Sequence, residues 1–139
     1  MADSPNPPPV DPTSLFARLG GEAGVRRLVD RFYDLMDTLP ETKVLRDLHP
    51  ESLAGSRDKL FWFLVGWTGG PPMFVERFGH PRLRARHLPF SIGAAERDQW
   101  MRCMRQAIAE HGVDAMTAQL FGEKLAALAD HMRNREEPA

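Results

Sequence analysis

The side chains in this sequence that could bind a metal or donate a hydrogen bond to a ligand include five histidines, three tryptophans and one tyrosine. His87 lies between the apolar residues Leu83 and Phe90, and Pro89 ends the predicted helix directly after it. A neutral imidazole at such a place can present one ring nitrogen to a metal, while the other N–H is donated to a carbonyl or a neighbouring side chain. The alternative is an ordinary interior or surface histidine, and position alone favours that alternative.

Tyr33 and Trp100 are the other two candidates. Tyr33 follows Phe32 on a predicted apolar helix and faces roughly the same way as Val29 and Met36. A buried tyrosine needs a partner for its hydroxyl, so Tyr33 is either structural or a donor to a ligand held in the core. Trp100 begins the apolar face of a later helix, and its indole N–H can only donate. Core packing is the commoner role for each residue alone.

A basic segment surrounds His87. It contains His80 and the arginines Arg77, Arg82, Arg84 and Arg86. Such a segment can bind the phosphates of a nucleic acid, clamp a carboxylate with guanidinium groups, or form a solvated face. Nucleic-acid binding is the weakest of these interpretations, because the whole chain has a formal net charge of -1 and a pI near 6.5.

Length and composition restrict the class of protein. The 139 residues are enough for one domain, and 42% hydrophobic with 27% charged residues is typical of a globular chain. Cys103 is the only cysteine, which excludes an intrachain disulfide framework and any multi-cysteine metal site. A buried lone cysteine of this kind is usually inert packing. No apolar run is long enough to cross a bilayer and no secretory signal is visible, so we expect a soluble cytoplasmic protein.

Helices must position these side chains, since apolar residues recur at helical spacing and no alternating strand pattern competes with them. The spacing predicts helices over residues 14–19, 22–39, 52–68, 94–111 and 114–133, with a short turn around 44–48. Only short helical pieces are expected over 73–90, because Gly79, Pro81 and Pro89 interrupt that segment. The predicted fold class is therefore all-α.

The two ends of the chain are predicted to lie outside the folded domain. Residues 1–13 contain five prolines and little apolar surface, which indicates a disordered or polyproline-like tail. Residues 14–134 are expected to form one domain, and residues 135–139 to be frayed.

Four stretches of the sequence resemble the group II truncated haemoglobins, and the resemblance extends over about residues 14–134. They are RFYDLM at 31–36, LVGWTGGPP at 64–72, GHPRLRARHLPF at 79–90 and ERDQWMRCM at 96–104. The third stretch, followed by a tryptophan, is the most specific. The resemblance implies a truncated-globin sandwich of two helices over two around haem b. In it, His87 is the proximal iron ligand and the opposite face is open to a diatomic ligand.

On that open face, the resemblance implies a set of ligand-facing residues. Bound O2 carries partial negative charge, so the Tyr33 hydroxyl and the Trp100 indole are expected to stabilise it by donating hydrogen bonds. His49 stands where many relatives have Tyr or Phe and is a third candidate donor, one that titrates near neutral pH. Ser56 is a small residue at the entrance, and Leu60 adds apolar wall.

The same resemblance implies a set of haem contacts. Arg86, with Arg84 or Lys59, is expected to pair with the haem propionates. The expected pocket walls are Phe63, Trp67, Leu83 and Phe90. Phe74 stands where relatives often have a tyrosine that contacts a propionate, so that hydrogen bond should be absent.

Tight O2 binding at a five-coordinate iron suits redox chemistry of O2, NO or peroxide, or sensing, better than bulk delivery. Nitric oxide dioxygenase or peroxidase-like activity would need an external reductase, because the sequence contains no nucleotide motif. CO is a further expected ligand, and the protein is expected to be a monomer or a homodimer with no nucleic-acid or membrane partner. The alternatives are an O2 storage or transport globin, a cofactor-free helical interaction module, and a basic nucleic-acid binder.

Overall fold

The computed structural model describes residues 11–135, which form eight α-helices and one 3-10 turn. The helices are α1 (Leu15–Arg18), α2 (Gly21–Thr38), α3 (Lys43–Asp47), α4 (Ala54–Trp67), α5 (Met73–Phe78), α6 (Leu83–His87), α7 (Ala94–His111) and α8 (Ala115–His131), and the 3-10 turn is Pro40–Thr42. The prediction of an all-α fold is confirmed. None of the helices within this described part has the length and apolar content to cross a membrane.

Four long helices build the core. α2 packs against α4 and against α7, and α7 packs against α8, so the pair α2–α4 lies over the pair α7–α8. The apolar stripe predicted on α2 forms the centre of the contact, and its five residues are at most 1% exposed: Val25, Leu28, Val29, Phe32 and Met36. Phe121 and Leu125 of α8 are also fully buried. Burial of these side chains is the main stabilising contribution to the fold.

The segment between α2 and α4 is more helical than predicted. A 3-10 turn begins at Pro40 and leads directly into α3, where the sequence indicated only a turn around 44–48. Proline is compatible with the first position of a helical turn, because the N–H that it lacks would have no intrahelical partner there. The Thr42 hydroxyl lies 3.1 Å from the carbonyl oxygen of Met36 and 3.0 Å from that of Leu39, which holds the turn against the end of α2.

The Gly-Gly-Pro-Pro sequence after α4 ends that helix as predicted and turns the chain sharply. Gly69 has a φ of +110°, which glycine adopts without strain. A Cβ on Gly70 would lie 2.8 Å from the ring of Phe16 and from the carbonyl oxygen of Val65. This close approach places α5 and α6 beside α4. α6 carries His87 at its last position and contains no buried residue.

The described ends of the chain are tied to the domain. Asp11 accepts hydrogen bonds from the Thr13 N–H and hydroxyl at 2.8 and 2.7 Å, so residues 11–13 of the predicted tail form a turn. Ser14 caps α1 by accepting from the Ala17 N–H at 3.1 Å. Arg135 bonds to Glu96, although the sequence placed it in a frayed end. The rest of the predicted tail and residues 136–139 lie outside the described residues.

Candidate functional site

Tyr33 is a buried donor without a partner in the described structure. Its side chain is only 6% exposed, and its ring lies 4.9 Å from the Phe32 ring and 6.0 Å from the His49 ring, between centroids. Burial raises the pKa of its hydroxyl far above the usual range, so the proton is retained at physiological pH. The hydroxyl makes no hydrogen bond to any residue within 11–135 and is therefore available to a ligand.

Trp100, on α7, is the second available donor. It is half-buried and packs against the core, with its ring centroid 5.0 Å from that of Phe32. Phe32 thus contacts both Tyr33 and Trp100, which links donors that are 67 positions apart in the sequence. The Trp100 indole N–H makes no hydrogen bond within the described residues.

His49 has an orientation that the sequence could not predict. Its Nδ1 lies 2.9 Å from the carbonyl oxygen of Leu45, and because a carbonyl can only accept, Nδ1 must carry the hydrogen. Burial lowers the pKa of His49, and the positive charge of Arg46 lowers it further, against the effect of the backbone hydrogen bond to Leu45. At neutral pH its Nε2 therefore bears a lone pair. The donor role expected for His49 requires the protonated form.

His87 offers a nitrogen lone pair that could bind a metal. Its Nδ1 lies 2.6 Å from the carbonyl oxygen of Leu83, one helical turn earlier, so Nδ1 carries the hydrogen and Nε2 has a free lone pair. A histidine that ligates a metal commonly donates its other N–H in this way, which fixes the tautomer and the ring orientation.

The predicted entrance residues lie on α4. Ser56 and Leu60 are partly buried and one turn apart, and Leu60 packs against the core. Lys59 is exposed. Arg57 directly follows Ser56. Its guanidinium donates to carboxylate oxygens of Asp30 at 3.2 Å and Asp34 at 2.7 Å, and these bonds connect α4 to α2 beside Tyr33.

Three of the four predicted wall residues meet at one cleft of about 390 Å³. Phe63 and Trp67 of α4 line it together with Leu83 of α6, and it is closed by Leu128 of α8 and by Met132 directly after that helix. The Phe63 and Trp67 rings stack with centroids 6.0 Å apart. Phe90 does not line this cleft and is 43% exposed.

The arginines of the basic segment have no carboxylate partner within residues 11–135. Arg86 donates to the carbonyl oxygen of Pro81 at 2.6 Å, and its guanidinium lies 5.4 Å from the centre of the buried Phe74 ring. Arg84 donates to the carbonyl oxygen of Arg133 at 3.2 Å. Because a carbonyl does not neutralise a guanidinium, the positive charge of the segment remains available to an anionic group.

This set of groups fits haem better than a bare metal ion. Within residues 11–135, no group of three or more His, Cys, Asp or Glu residues is placed to hold an ion. A porphyrin supplies the equatorial ligands of its iron, so one imidazole lone pair is sufficient. The aromatic cleft beside α6 suits the apolar macrocycle, and the uncompensated arginines suit its propionates.

No local sequence pattern predicts the contacts that two residues, Arg57 and Asn134, make near the site. Arg57 joins α4 to α2 through residues 23 and 27 positions away. Asn134, beyond the end of α8, donates to the carbonyl oxygens of His87 and Phe90. Contacts over such separations depend on the packing of the helices, which local patterns do not report.

Comparison with known proteins agrees with this geometry. Residues 14–134 match the bacterial-like globin family. The group 2 truncated haemoglobin YjbI of Bacillus subtilis is 37% identical over 117 residues, which are 84% of this chain and 86% of the relative. The group II 2-on-2 haemoglobin of Agrobacterium tumefaciens is 46% identical, with a TM-score of 0.86, and the match covers 89% of this chain and 96% of the other.

A cold-adapted truncated haemoglobin from Pseudoalteromonas haloplanktis is 41% identical, with a TM-score of 0.87 and coverage of 89% and 100%. The two-over-two arrangement expected from the resemblance is therefore confirmed. The chain belongs to the bacterial-like globin family, whose members bind haem and small diatomic ligands, and within that family to the group II truncated haemoglobins.

Proposed function

We propose that this globin binds haem b through Nε2 of His87 and holds O2 tightly on the opposite face, with Tyr33 and Trp100 as hydrogen-bond donors. When bound, the haem iron supplies an open coordination position at which O2 acquires partial negative charge. Side chains of the protein hold the iron and meet the bound ligand. His87 orients its lone pair through the bond from Nδ1 to Leu83, while the hydroxyl and the indole meet the ligand.

The observation that carries this proposal is the state of the Tyr33 hydroxyl. The Tyr33 side chain is 6% exposed, its hydroxyl stays protonated, and the hydroxyl has no partner within the described residues. A hydrogen bond to a charged or strongly polar acceptor is stronger than one to a neutral acceptor, so the site favours a ligand that accepts this proton. The contacts of Phe32 with both rings, at 4.9 Å to Tyr33 and 5.0 Å to Trp100 between centroids, support Trp100 as the second donor.

The size of the expected effect on O2 release distinguishes O2 transport from redox chemistry of bound O2. A hydrogen bond to a charged or strongly polar partner contributes roughly 1.5–3 kcal/mol, so two donors slow O2 release by on the order of 10²–10⁴. Such slow release is poorly suited to O2 storage or transport. It suits redox chemistry of O2, NO or peroxide, including nitric oxide dioxygenation with an external reductase, or sensing. Family membership argues against the cofactor-free module, and a Soret band in the purified protein tests that point directly.

The remaining site residues take supporting roles in the proposal. Arg86, assisted by Lys59, pairs with a propionate, and Phe63, Trp67 and Leu83 line the pocket. Phe90 closes the edge of the pocket once haem is bound. Ser56 leaves the entrance open, and Leu60 supplies apolar wall.

The test is the rate of O2 dissociation in stopped-flow measurements on the ferrous protein. We expect Tyr33→Phe and Trp100→Phe each to accelerate release by about tenfold or more, and the double variant by more than either. Trp62→Phe is the matched control, because Trp62 contacts Phe78 and Arg77 rather than Phe32. If the double variant releases O2 no faster than the parent, the donor assignment is wrong.

A further inference from the structure

The helix that carries His87 is held in place by few apolar contacts. α6 contains no buried residue, and Leu88 and Phe90, which follow it, are 54% and 43% exposed. Its backbone also starts from an unusual conformation, since Arg82 has a φ of +45°. A segment with so little buried apolar surface depends on hydrogen bonds for its position. Most of the bonds that reach it from another element come from the residues just beyond α8.

The Asn134 side chain makes three hydrogen bonds to the segment around His87. Its Nδ2 donates to the carbonyl oxygen of His87 at 3.2 Å and to that of Phe90 at 2.8 Å, while its Oδ1 accepts from the Ile92 N–H at 2.9 Å. The partners determine the orientation of the amide, because carbonyls only accept and a backbone N–H only donates. Alanine at this position would lose all three hydrogen bonds, because its side chain has neither donor nor acceptor.

Asn134 is itself anchored to the segment that leads into α7, and the next residue, Arg135, reaches α7. Its backbone N–H and that of Arg135 both donate to the carbonyl oxygen of Ile92, at 2.9 and 3.2 Å. The Arg135 guanidinium donates to the buried carboxylate of Glu96 at 2.6 Å, and Glu96 also accepts from the Gly93 N–H at 2.7 Å. The chain after α8 therefore connects a fixed point on a core helix to the backbone at 87–90.

We propose that Asn134 is a positioning residue for His87, and this inference rests on the proposed function, in which His87 is the iron ligand. The bond from Nδ1 of His87 to Leu83 orients the ring relative to α6, but it does not hold α6 itself. Asn134 supplies the missing restraint by fixing the backbone of His87 and Phe90. Together the two contacts determine where the imidazole lone pair is placed, and the side-chain bonds of Asn134 all go to the backbone of the segment at 87–92.

The experiment compares the haem-loaded, ligand-free ferrous parent with Asn134→Ala. Resonance Raman spectroscopy reports the iron–histidine stretching band, and transfer of haem to an excess of a scavenging apoprotein reports haem loss. We expect the band to broaden or shift, and haem loss to accelerate by about tenfold, because two donors to the segment that carries the ligand are removed. If Asn134→Ala does not assemble, Asn134→Asp serves instead, since it keeps the acceptor for the Ile92 N–H and loses the donors.

Thr42→Val is the matched control, because it also removes one side-chain donor from two backbone carbonyls, those of Met36 and Leu39 at the end of α2. It should lower the stability of the fold and leave the band unchanged. The inference is overturned if the Asn134 variants keep the band and the haem-loss rate of the parent, or if Thr42→Val alters the band equally. Measurement of His87→Gly in parallel separates the two proposals. A persistent iron–histidine band in His87→Gly would contradict the proposed function itself, because another histidine would then bind the iron.

Discussion

The rings of Tyr33 and His49 meet edge to face, with centroids 6.0 Å apart and an interplanar angle of 76°. Tyr33 is buried and His49 is half-buried, and burial moves each pKa toward the neutral form: upward for the phenol and downward for the imidazole. At neutral pH the pair therefore combines a protonated hydroxyl with an imidazole whose Nδ1–H is donated to Leu45. Tyr33 is a donor under these conditions, and His49 is not a donor from Nε2.

This relationship predicts a pH dependence of O2 release. The pKa of His49 is lowered from the ordinary value of 6.5, so protonation at Nε2 occurs only in more acidic solution. Because the added N–H creates a further donor, the O2 dissociation rate of the parent should fall as the pH drops below about 6.5. Stopped-flow measurements between neutral and mildly acidic pH test this expectation.

His49→Phe is the control for that experiment. At neutral pH the substitution should change the O2 dissociation rate little, because the neutral imidazole contributes no donor. In acid the slowing seen in the parent should disappear. An identical pH profile in parent and variant would assign the effect to another group.

The proximal assignment predicts the outcome of His87→Gly. The glycine variant should lose haem, or recover it only when imidazole is added to fill the space of the missing side chain. The absorption spectrum after purification, with and without imidazole, is the measurement. His80→Gly is the matched control from the same segment, because His80 is exposed and its Nδ1 is occupied by the Arg82 N–H at 3.0 Å. A His87→Gly protein with the spectrum of the parent would contradict the assignment.

Gly24→Ala should destabilise the fold, although alanine is normally the better helix former. A Cβ at this position of α2 would lie 1.8 Å from the carbonyl oxygen of Leu19, which also accepts a hydrogen bond from His111 Nε2 at 2.7 Å. Since a carbonyl can only accept, His111 is the donor there. Relief of the clash must displace the end of α1, and we expect a loss of about 1–3 kcal/mol in the free energy of unfolding, measured by urea denaturation.

Gly55→Ala in α4 is the matched control, because an added Cβ there meets nothing within 4 Å. It should be neutral or raise the free energy of unfolding by up to about 1 kcal/mol, through the higher helix propensity of alanine. Equal effects of the two substitutions would show that backbone propensity, rather than the contact with Leu19, determines the result at Gly24.

How much the sequence predicts differs between the fold and the site. The bounds of α7 follow from its apolar spacing and from Gly112 at its end, and the structure gives the same bounds. The bond between His87 and Leu83 is compatible with helical spacing alone, because the residues are four positions apart. The tautomer of His49 could not be predicted, since it depends on which backbone carbonyl the fold brings to Nδ1.

Long-range hydrogen bonds are the part that local patterns miss. Asn134 reaches His87 over 47 positions, and a single asparagine after a helix is an ordinary surface residue by sequence. Its contact exists because α8 ends beside the start of α7, which is a consequence of packing. Motif resemblance supplied the residues proposed to meet haem and gas, but it gave no information about the residues that restrain them.

Cys103 provides a final test, because the structure predicts an unreactive thiol. Its side chain is 0% exposed in the face of α7 that meets the core, and burial raises its pKa despite the hydrogen bond with Thr42. Only the thiolate attacks disulfide reagents, so both access and ionisation oppose the reaction in the folded protein. A thiol-specific disulfide reagent should label the native protein no faster than the chain unfolds, and should label it completely in denaturant. Ala127→Cys, at an exposed position of α8, is the matched control and should react at once. Rapid labelling of the native parent would show that α7 opens locally at Cys103, which its complete burial does not predict.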